Sequence, residues 1–151
     1  MIEKKIVIRE ATPADVDQMI MLLSGLFTLE SDFDFDCDKQ RMGLCKLLIR
    51  PSALILVATY GDEVMGMCTV QTLISTAEGG PVGLVEDVVV KDQYQAQGVG
   101  RRLLKVLQSW CKQRGFTRLQ LLVDKNNINA IGFYKHMGWQ STDLVALRLK
   151  E

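Results

Sequence analysis

The sequence predicts an α+β (mixed α/β) fold, a central and mostly antiparallel twisted sheet flanked by about four helices. Two observations lead there. Apolar residues switch repeatedly between a period of two and a period of 3.6, giving the order β-α-α-β-β-β-α-β-α-β. The three middle strands follow one another through short Gly-rich turns, as hairpins do, and only the late segments alternate as βα units. Length and composition allow such a core: 151 residues, 48% hydrophobic and 24% charged, fit one domain over residues 1–151.

Taken in order, Ile6 to Glu10 alternates weakly and reads as the first strand. Thr12-Pro13-Ala14-Asp15 opens a helix: Thr12 suits the N-cap, Pro13 the first turn, and Asp15 completes a box-like T-x-x-D. Val16, Met19, Ile20, Leu23, Leu26 and Phe27 then make one apolar stripe. Glu30 to Asp38 alternates five carboxylates with aromatic and small residues. It reads either as a solvated loop pinned by Phe33 and Phe35, or as a loop in which Asp32, Asp34 and Asp36 face a cationic substrate. Asp38 can cap a second helix over Lys39 to Ile49, which Pro51 ends.

Ala53 to Tyr60 and Val64 to Ile74 form a hairpin around Gly61-Asp62-Glu63, and Gly66 marks a bulge or a close backbone approach. Ala77 to Pro81 is a loop. The segment Leu84 to Leu104, LVEDVVVKDQYQAQGVGRRLL, organises the rest of the chain. Val88, Val89 and Val90 read as a buried strand and Lys91 to Tyr94 as a polar turn. Gln95-Ala96-Gln97-Gly98-Val99-Gly100 leads into a helix whose Val99, Leu103, Val106, Leu107 and Trp110 recur at helical spacing. Gly115 suits the C-cap of that helix. Leu119 to Val123 is a strand, Asn126 or Asn127 caps a helix to Met137, Gly138 stops it, and Trp139 to Leu149 reads as a last strand or bent pair.

A strand, a glycine turn and a helix start make a phosphate cradle, because backbone N–H groups without internal partners meet the positive end of the helix dipole. Arg101, Arg102 and Lys105 add cations in the first turns. Two familiar phosphate motifs do not fit. A P-loop needs Lys-Ser/Thr after its last glycine, where Arg101 and Arg102 stand. A dinucleotide fold needs a third glycine, where Leu103 stands, and only 27 residues follow Asp124.

Gln95 to Gly100, Q-x-x-G-x-G after a strand ending V-x-V, resembles the acetyl-CoA motif of the GNAT superfamily of N-acetyltransferases. Asn127-Ile128-Asn129-Ala130-Ile131-Gly132-Phe133-Tyr134, followed by Gly138-Trp139, resembles that family's N-x-x-A-x-x-F-Y…G-[FW] signature. The resemblance covers essentially the whole chain; Gln95 for the commoner arginine and Asp92 for the frequent proline are its departures. It implies a GNAT-like fold and transfer of acetyl from acetyl-CoA to a primary amine in a ternary complex. By the same resemblance, Val88 and Val90 backbone groups hold the pantetheine arm, with Val89 between them. Gln95, Ala96, Gln97, Gly98, Val99, Gly100 and Arg101 hold the pyrophosphate, and Asn127 and Tyr134 complete the cofactor site. A bulge and splay of the central strand are implied as well.

Tyr134 resembles the family's general acid for the departing sulfur; the alternative is a tyrosine that only anchors the last helix. His136 lies roughly 200° further round that helix and belongs to the surface. Glu86, in Val85-Glu86-Asp87-Val88, resembles the base of polyamine-type members, and a glutamate inside a buried strand is costly unless used or paired; the alternative is a structural pair with an arginine, and Asp87 is the second choice for the base. The acceptor expected is a small cationic amine. Two other readings stand beside it: an acetyltransferase of protein N-termini or lysines, and a sensor that binds acetyl-CoA without turnover.

Eighteen basic residues balance eighteen acidic ones, which argues against nucleic acid or an anionic membrane as partner. Met1 to Lys5 resembles no leader peptide, and no apolar run approaches the ~20 residues that span a bilayer. Cys37, Cys45, Cys68 and Cys111 form no C-x-x-C pair, so neither disulfides nor, with His136 alone, a metal is expected. The expected setting is the cytoplasm and, since dimers are common in the family, the expected assembly is a homodimer.

Overall fold

The structure, a computed structural model, describes residues 5–29 and 34–151. Among these residues five strands lie in the order β1 (Ile6–Glu10), β2 (Ala53–Tyr60), β3 (Glu63–Ser75), β4 (Gly80–Val90), β5 (Leu119–Leu121). The first four pair antiparallel and β5 joins β4 in parallel, so the expected mostly antiparallel sheet with four helices is the one observed.

Sequence alternation distributes the two faces. Leu54, Leu56 and Ala58 of β2 pack with Met65, Cys68, Val70 and Val85 under helix α3 (Val99–Gln113), whose Val99, Leu103, Leu104, Leu107 and Cys111 are buried. Ile55, Val57, Val64 and Met67 turn the other way, onto Met19, Ile20, Leu22 and Leu23 of α1 (Val16–Leu29) and Leu44 of α2 (Cys37–Leu48). The sheet is therefore sandwiched between two helical layers. The short helix α4 (Ile128–His136) sits on the α3 side, where Phe133 and Tyr134 reach the core.

Local chemistry explains most boundaries. The segment opened by Thr12 begins as one 3₁₀ turn, Pro13–Asp15, before α1. The Asp15 carboxylate accepts the Thr12 N–H at 2.8 Å and grips Arg9 of β1 with both oxygens, at 2.7 and 2.9 Å. That guanidinium holds the Asp15 carboxyl below the usual carboxylate range, against the opposing effect of burial. The cap of α2 is Asp36 rather than Asp38: its carboxylate accepts the N–H groups of Asp38 and Lys39, so the helix starts two residues early. At Gly66 both expectations hold. The β2–β3 register slips beside it, between Ala58 and Thr59, and a Cβ there would lie 3.2 Å from both Leu103 Cδ1 and Val89 O.

Two expectations are corrected. β5 ends at Leu121 rather than Val123, because its pairing with β4 stops at Val85–Leu121. Trp139 to Leu149 forms no strand. Its alternating pattern suits one, but a strand exists only as a ladder with a neighbour, and residues 140–151 are exposed and in no sheet.

Candidate functional site at the split between β4 and β5

The site lies where β4 leaves β5. Gly83 to Val85 pair with Leu119 to Leu121, and beyond them the two strands share no further pair. On its other side β4 carries a bulge: Met67 pairs with Val89 and Thr69 with Glu86, leaving an extra residue at Asp87-Val88 opposite Cys68. Asp87 has φ 53°, and Thr69 Oγ1 donates to its carboxylate at 3.3 Å and to Glu86 O at 3.1 Å. Aspartate is one of the few residues that tolerates this region. The bulge and splay implied by the family resemblance are thus both present.

The bulge re-aims the backbone. Val89 is paired inward with Met67, and the Lys91 N–H reaches Met65 O at 2.8 Å. Alternation then turns the backbone groups of Val88 and Val90 towards the split. The same opening is lined by Glu86, Asp87, Asn127, Ala130 and Tyr134, together with Leu121 to Val123 and Leu26 of α1. Glu86 and Tyr134, far apart in sequence, therefore share one groove. Glu86 is exposed, so the expectation of a costly glutamate inside a buried strand does not hold: the splay leaves it on the open side. Tyr134 is half-buried, its ring 5.3 Å from Phe133 and 5.8 Å from Trp139. Asn127 is held as the cap of α4, with Oδ1 accepting the Ala130 N–H at 3.1 Å. His136 is exposed at the end of α4.

The glycine turn follows β4 and the short turn after it. Ala96 (φ 60°) and Gly98 (φ 84°) both adopt left-handed backbone, and α3 starts immediately after. The first bond of the helix runs from Arg102 N to Gly98 O at 3.0 Å, so the N–H groups of Val99, Gly100 and Arg101 precede it without helical partners. Gly98 has open space where a Cβ would sit, which leaves room for a diphosphate against the backbone. Gly100 is small for a different reason: its Cβ would come 3.3 Å from Phe133 Cζ, so it keys α3 to α4. Among the side chains, Gln95 Nε2 donates to Val90 O at 3.0 Å and Asp92 Oδ1 at 3.2 Å, bracing the turn, while Gln97 Nε2 bonds Gln93 O. Arg101 is exposed at the helix start, and Arg102 donates to Ile6 O on β1.

One support had no sequence signal. Glu63 on β3 accepts from Lys91 Nζ at 2.8 Å and from Tyr94 OH at 2.6 Å, tying the polar turn ahead of the glycines to the sheet. The partners lie 28 and 31 residues apart, and no local pattern marks them. The Tyr94 phenol is raised above its ordinary value by this bond to a carboxylate.

The acidic stretch is only partly visible. Asp32 and Phe33 lie outside the described residues, Asp34 is exposed, and Asp36 is occupied as the α2 cap. The cysteines offer no nucleophile inside the fold, since burial pushes the Cys111 thiol up to about 11 and Cys68 higher still. No group of His, Cys, Asp and Glu among the described residues is arranged to hold a metal. No helix among them is long and apolar enough to cross a membrane.

The pattern of the Acetyltransferase (GNAT) family matches residues 19–139. The chain belongs to that family. As a GNAT acetyltransferase it is 29% identical over 142 residues to an aminoglycoside N(6')-acetyltransferase type 1 of Stenotrophomonas maltophilia, covering 91% of this chain and 88% of the relative. Solved structures share the fold. A possible acetyltransferase from Clostridium difficile 630 superposes with TM-score 0.84 at 23% identity, over 97% of both chains. An aminoglycoside N-acetyltransferase in complex with CoA superposes with TM-score 0.84 at 16% identity, over 98% of this chain and 96% of that one.

Proposed function

We propose that this N-acetyltransferase moves the acetyl group of acetyl-CoA directly to a primary amine of a small cationic acceptor, within a ternary complex. The observation that carries the reading is the groove at the β4–β5 split, which is lined by both an exposed carboxylate, Glu86, and a phenol, Tyr134; β4 runs on from it into the glycine turn that starts α3. Val88 and Val90 would hold the pantetheine amides as an added strand would, and the N–H groups around Gly98, Val99, Gly100 and Arg101 the pyrophosphate. When bound, acetyl-CoA supplies an acetyl thioester.

An alkyl ammonium has an ordinary pKa of roughly 10 and must lose a proton before it can attack. Glu86, directly or through a water, takes that proton and passes it to solvent; the amine nitrogen bonds to the acetyl carbon as the C–S bond breaks, and the nitrogen's second proton then leaves to solvent. Tyr134 gives its O–H proton to the leaving sulfur and regains one from solvent. Asp87 is bonded to Thr69 at the bulge, which favours Glu86 over it as the base. The cationic acceptor is supported by the aminoglycoside relative and by the carboxylates Asp32, Asp34 and Asp36, a local run of negative charge in a chain whose charges balance as a whole. Four free thiols suit the reducing cytoplasm as its setting.

Release of CoA thiol is measured with acetyl-CoA and a panel of an aminoglycoside, a diamine, single amino acids and a neutral peptide N-terminus. The expected ranking in kcat/KM places the polycationic amines first, with Tyr134→Phe lowering kcat by about ten- to a thousandfold at little change in acetyl-CoA affinity. Preference for the peptide would overturn the acceptor class, and an unchanged kcat and pH profile in Tyr134→Phe would make that residue structural.

A further inference from the structure

A second cleft lies at the far end of α3 from the glycine turn. It holds about 320 Å³ and opens between the end of α2, the turn after it, the end of β1 and the last turn of α3. It shares no lining residue with the groove at the β4–β5 split. The 15 residues of α3 span roughly 22 Å, from the glycine turn at its start to Arg114 just past its end.

The walls of this cleft are fixed from behind. Arg114 Cζ sits 3.8 Å from the centre of the Trp110 ring, and Nη1 donates to Trp110 O at 3.5 Å. Trp110 is in turn held edge-on by Phe116, with ring centres 5.7 Å apart. Stacking orients a guanidinium while leaving its in-plane N–H donors for an anion. Arg50 stands on the turn between α2 and β2. Its N–H bonds Leu47 O and its carbonyl accepts the Ala53 N–H, both at 3.1 Å, while Ser52 O accepts Thr72 N–H at 3.0 Å and Thr72 Oγ1 at 2.6 Å. Glu10 ends β1 opposite Leu56, and the next N–H, of Ala11, reaches Ile55 O at 2.9 Å. Leu48 and Ile49 supply an apolar side to the same space.

Among the described residues neither Arg50, Arg114 nor Glu10 takes part in an ion pair, whereas Arg9, beside Glu10, is bound to Asp15. Charges that line one concavity act together on whatever enters it. Two guanidiniums and one carboxylate are the inverse of a molecule with two carboxylates and one ammonium. A dicarboxylate without an amine would leave Glu10 unanswered, and an amino acid with one carboxylate would leave one arginine unanswered.

We propose that this cleft binds a free amino dicarboxylic acid, its carboxylates on Arg50 and Arg114 and its ammonium on Glu10. Leu48 and Ile49 then cover the methylenes between the charged groups. A volume of about 320 Å³ lies at the lower end of the range for small-molecule sites and suits a ligand of roughly ten non-hydrogen atoms. This inference does not rest on the proposed acceptor or chemistry, and its test needs no activity.

Calorimetry on the full chain uses L-glutamate, glutarate and L-alanine as probes, in about 20 mM salt, where exposed charges are little screened. Glutamate should bind with a Kd of about 1 mM or below. Glutarate lacks the amine and alanine the second carboxylate, so each should bind about tenfold more weakly or worse, one charged bond being lost. Arg50→Gln and Arg114→Gln should each weaken glutamate by a similar factor, and Glu10→Gln should bring glutamate and glutarate to the same affinity. All three positions are exposed, so these variants should melt with the wild type. Location is read from fluorescence: glutamate should change the emission of Trp139→Phe, in which Trp110 is the only tryptophan. No binding of glutamate at about 10 mM overturns the proposal. Glutarate binding the wild type as tightly as glutamate overturns it too, by making the cleft a plain anion site. So does alanine binding as tightly as glutamate. Glutamate binding that survives both arginine substitutions would place the amino acid elsewhere, and it also sinks the assignment.

Discussion

Adding one methyl group at Gly83 should destabilise this protein, while adding the same group at Gly25 should stabilise it. Gly83 lies where β4 and β5 are still paired, three residues before Glu86. A Cβ there would stand 2.6 Å from Leu119 Cδ2, 2.9 Å from Val70 Cγ2 and 3.2 Å from Phe116 Cδ2. Leu119 can swing its flexible end aside, but Val70 is fully buried and, being β-branched, has little rotamer freedom. Relief therefore has to come from moving β5 outward, and overpacking of this kind costs about 2–3 kcal/mol. For a chain of this length that lowers Tm by about 5–10 °C. Gly25 sits exposed inside α1 with nothing within 4 Å of its would-be Cβ. There alanine gains about 0.5–1 kcal/mol from the backbone entropy that glycine loses on folding, raising Tm by about 2–4 °C. Scanning calorimetry on the two variants and the wild type reads both shifts in one experiment. If Gly83→Ala melted within a degree of wild type, the β4–β5 junction would be looser than drawn, and the argument that it fixes the start of the split would fail.

Three further outcomes are expected. Asp15→Asn should cost about 1–2 kcal/mol at pH 7, the Arg9 partner being partly exposed. Because the folded carboxyl titrates below its unfolded value of roughly 3.9, this stability is present above about pH 4 and fades as pH falls through the folded value; the difference between variant and wild type in urea melts should be smaller at pH 2 than at pH 7. Gly98→Ala forces a side chain into left-handed backbone at about 1 kcal/mol and places its methyl where the diphosphate would lie; calorimetry should show acetyl-CoA binding weakened at least tenfold, and equal affinity would move the cradle elsewhere. Tyr94→Phe removes the bond to Glu63 and should raise KM for acetyl-CoA several-fold with kcat little changed; a loss confined to kcat would separate this tie from cofactor positioning.

What was legible in the sequence was whatever depends on neighbours along the chain. Thr12-Pro13, the Gly98 helix start, the Asn127 cap and Gly138 each act within four residues, and their elements appear where expected. Asp36 was misplaced by two because alternate aspartates offer equivalent oxygens, and only the trajectory entering α2 selects one. What stayed hidden depends on pairing between distant segments. The bulge at Asp87 is a register slip against Cys68, and nothing in Val85-Glu86-Asp87-Val88 marks it. Glu86 looked buried because its neighbours are apolar, yet the splay exposes it. The Glu63–Tyr94 bond spans 31 residues. The alternation from Trp139 to Leu149 was read as a strand, but a pattern cannot supply the neighbour a strand needs, and the segment lies in no sheet.

These hidden features share one cause, and it explains why the site sits on β4. A strand paired on both edges has no backbone group left for a ligand. β4 gives up β5 after Val85, and the slip at Asp87 sets Val88 and Val90 to face the space so opened. Uncompensated, both departures would leave polar groups unpaired and a residue in unfavourable backbone. They persist because the surroundings over-determine them: Thr69 bonds both Glu86 O and Asp87, Gln95 takes up the Val90 carbonyl, and Glu63 pins the turn through Lys91 and Tyr94. The groove is held open by side chains that need not touch a substrate. Substitutions at Thr69 or Glu63 should therefore act through affinity and geometry, whereas those at Glu86 or Tyr134 should act on the proton transfers themselves.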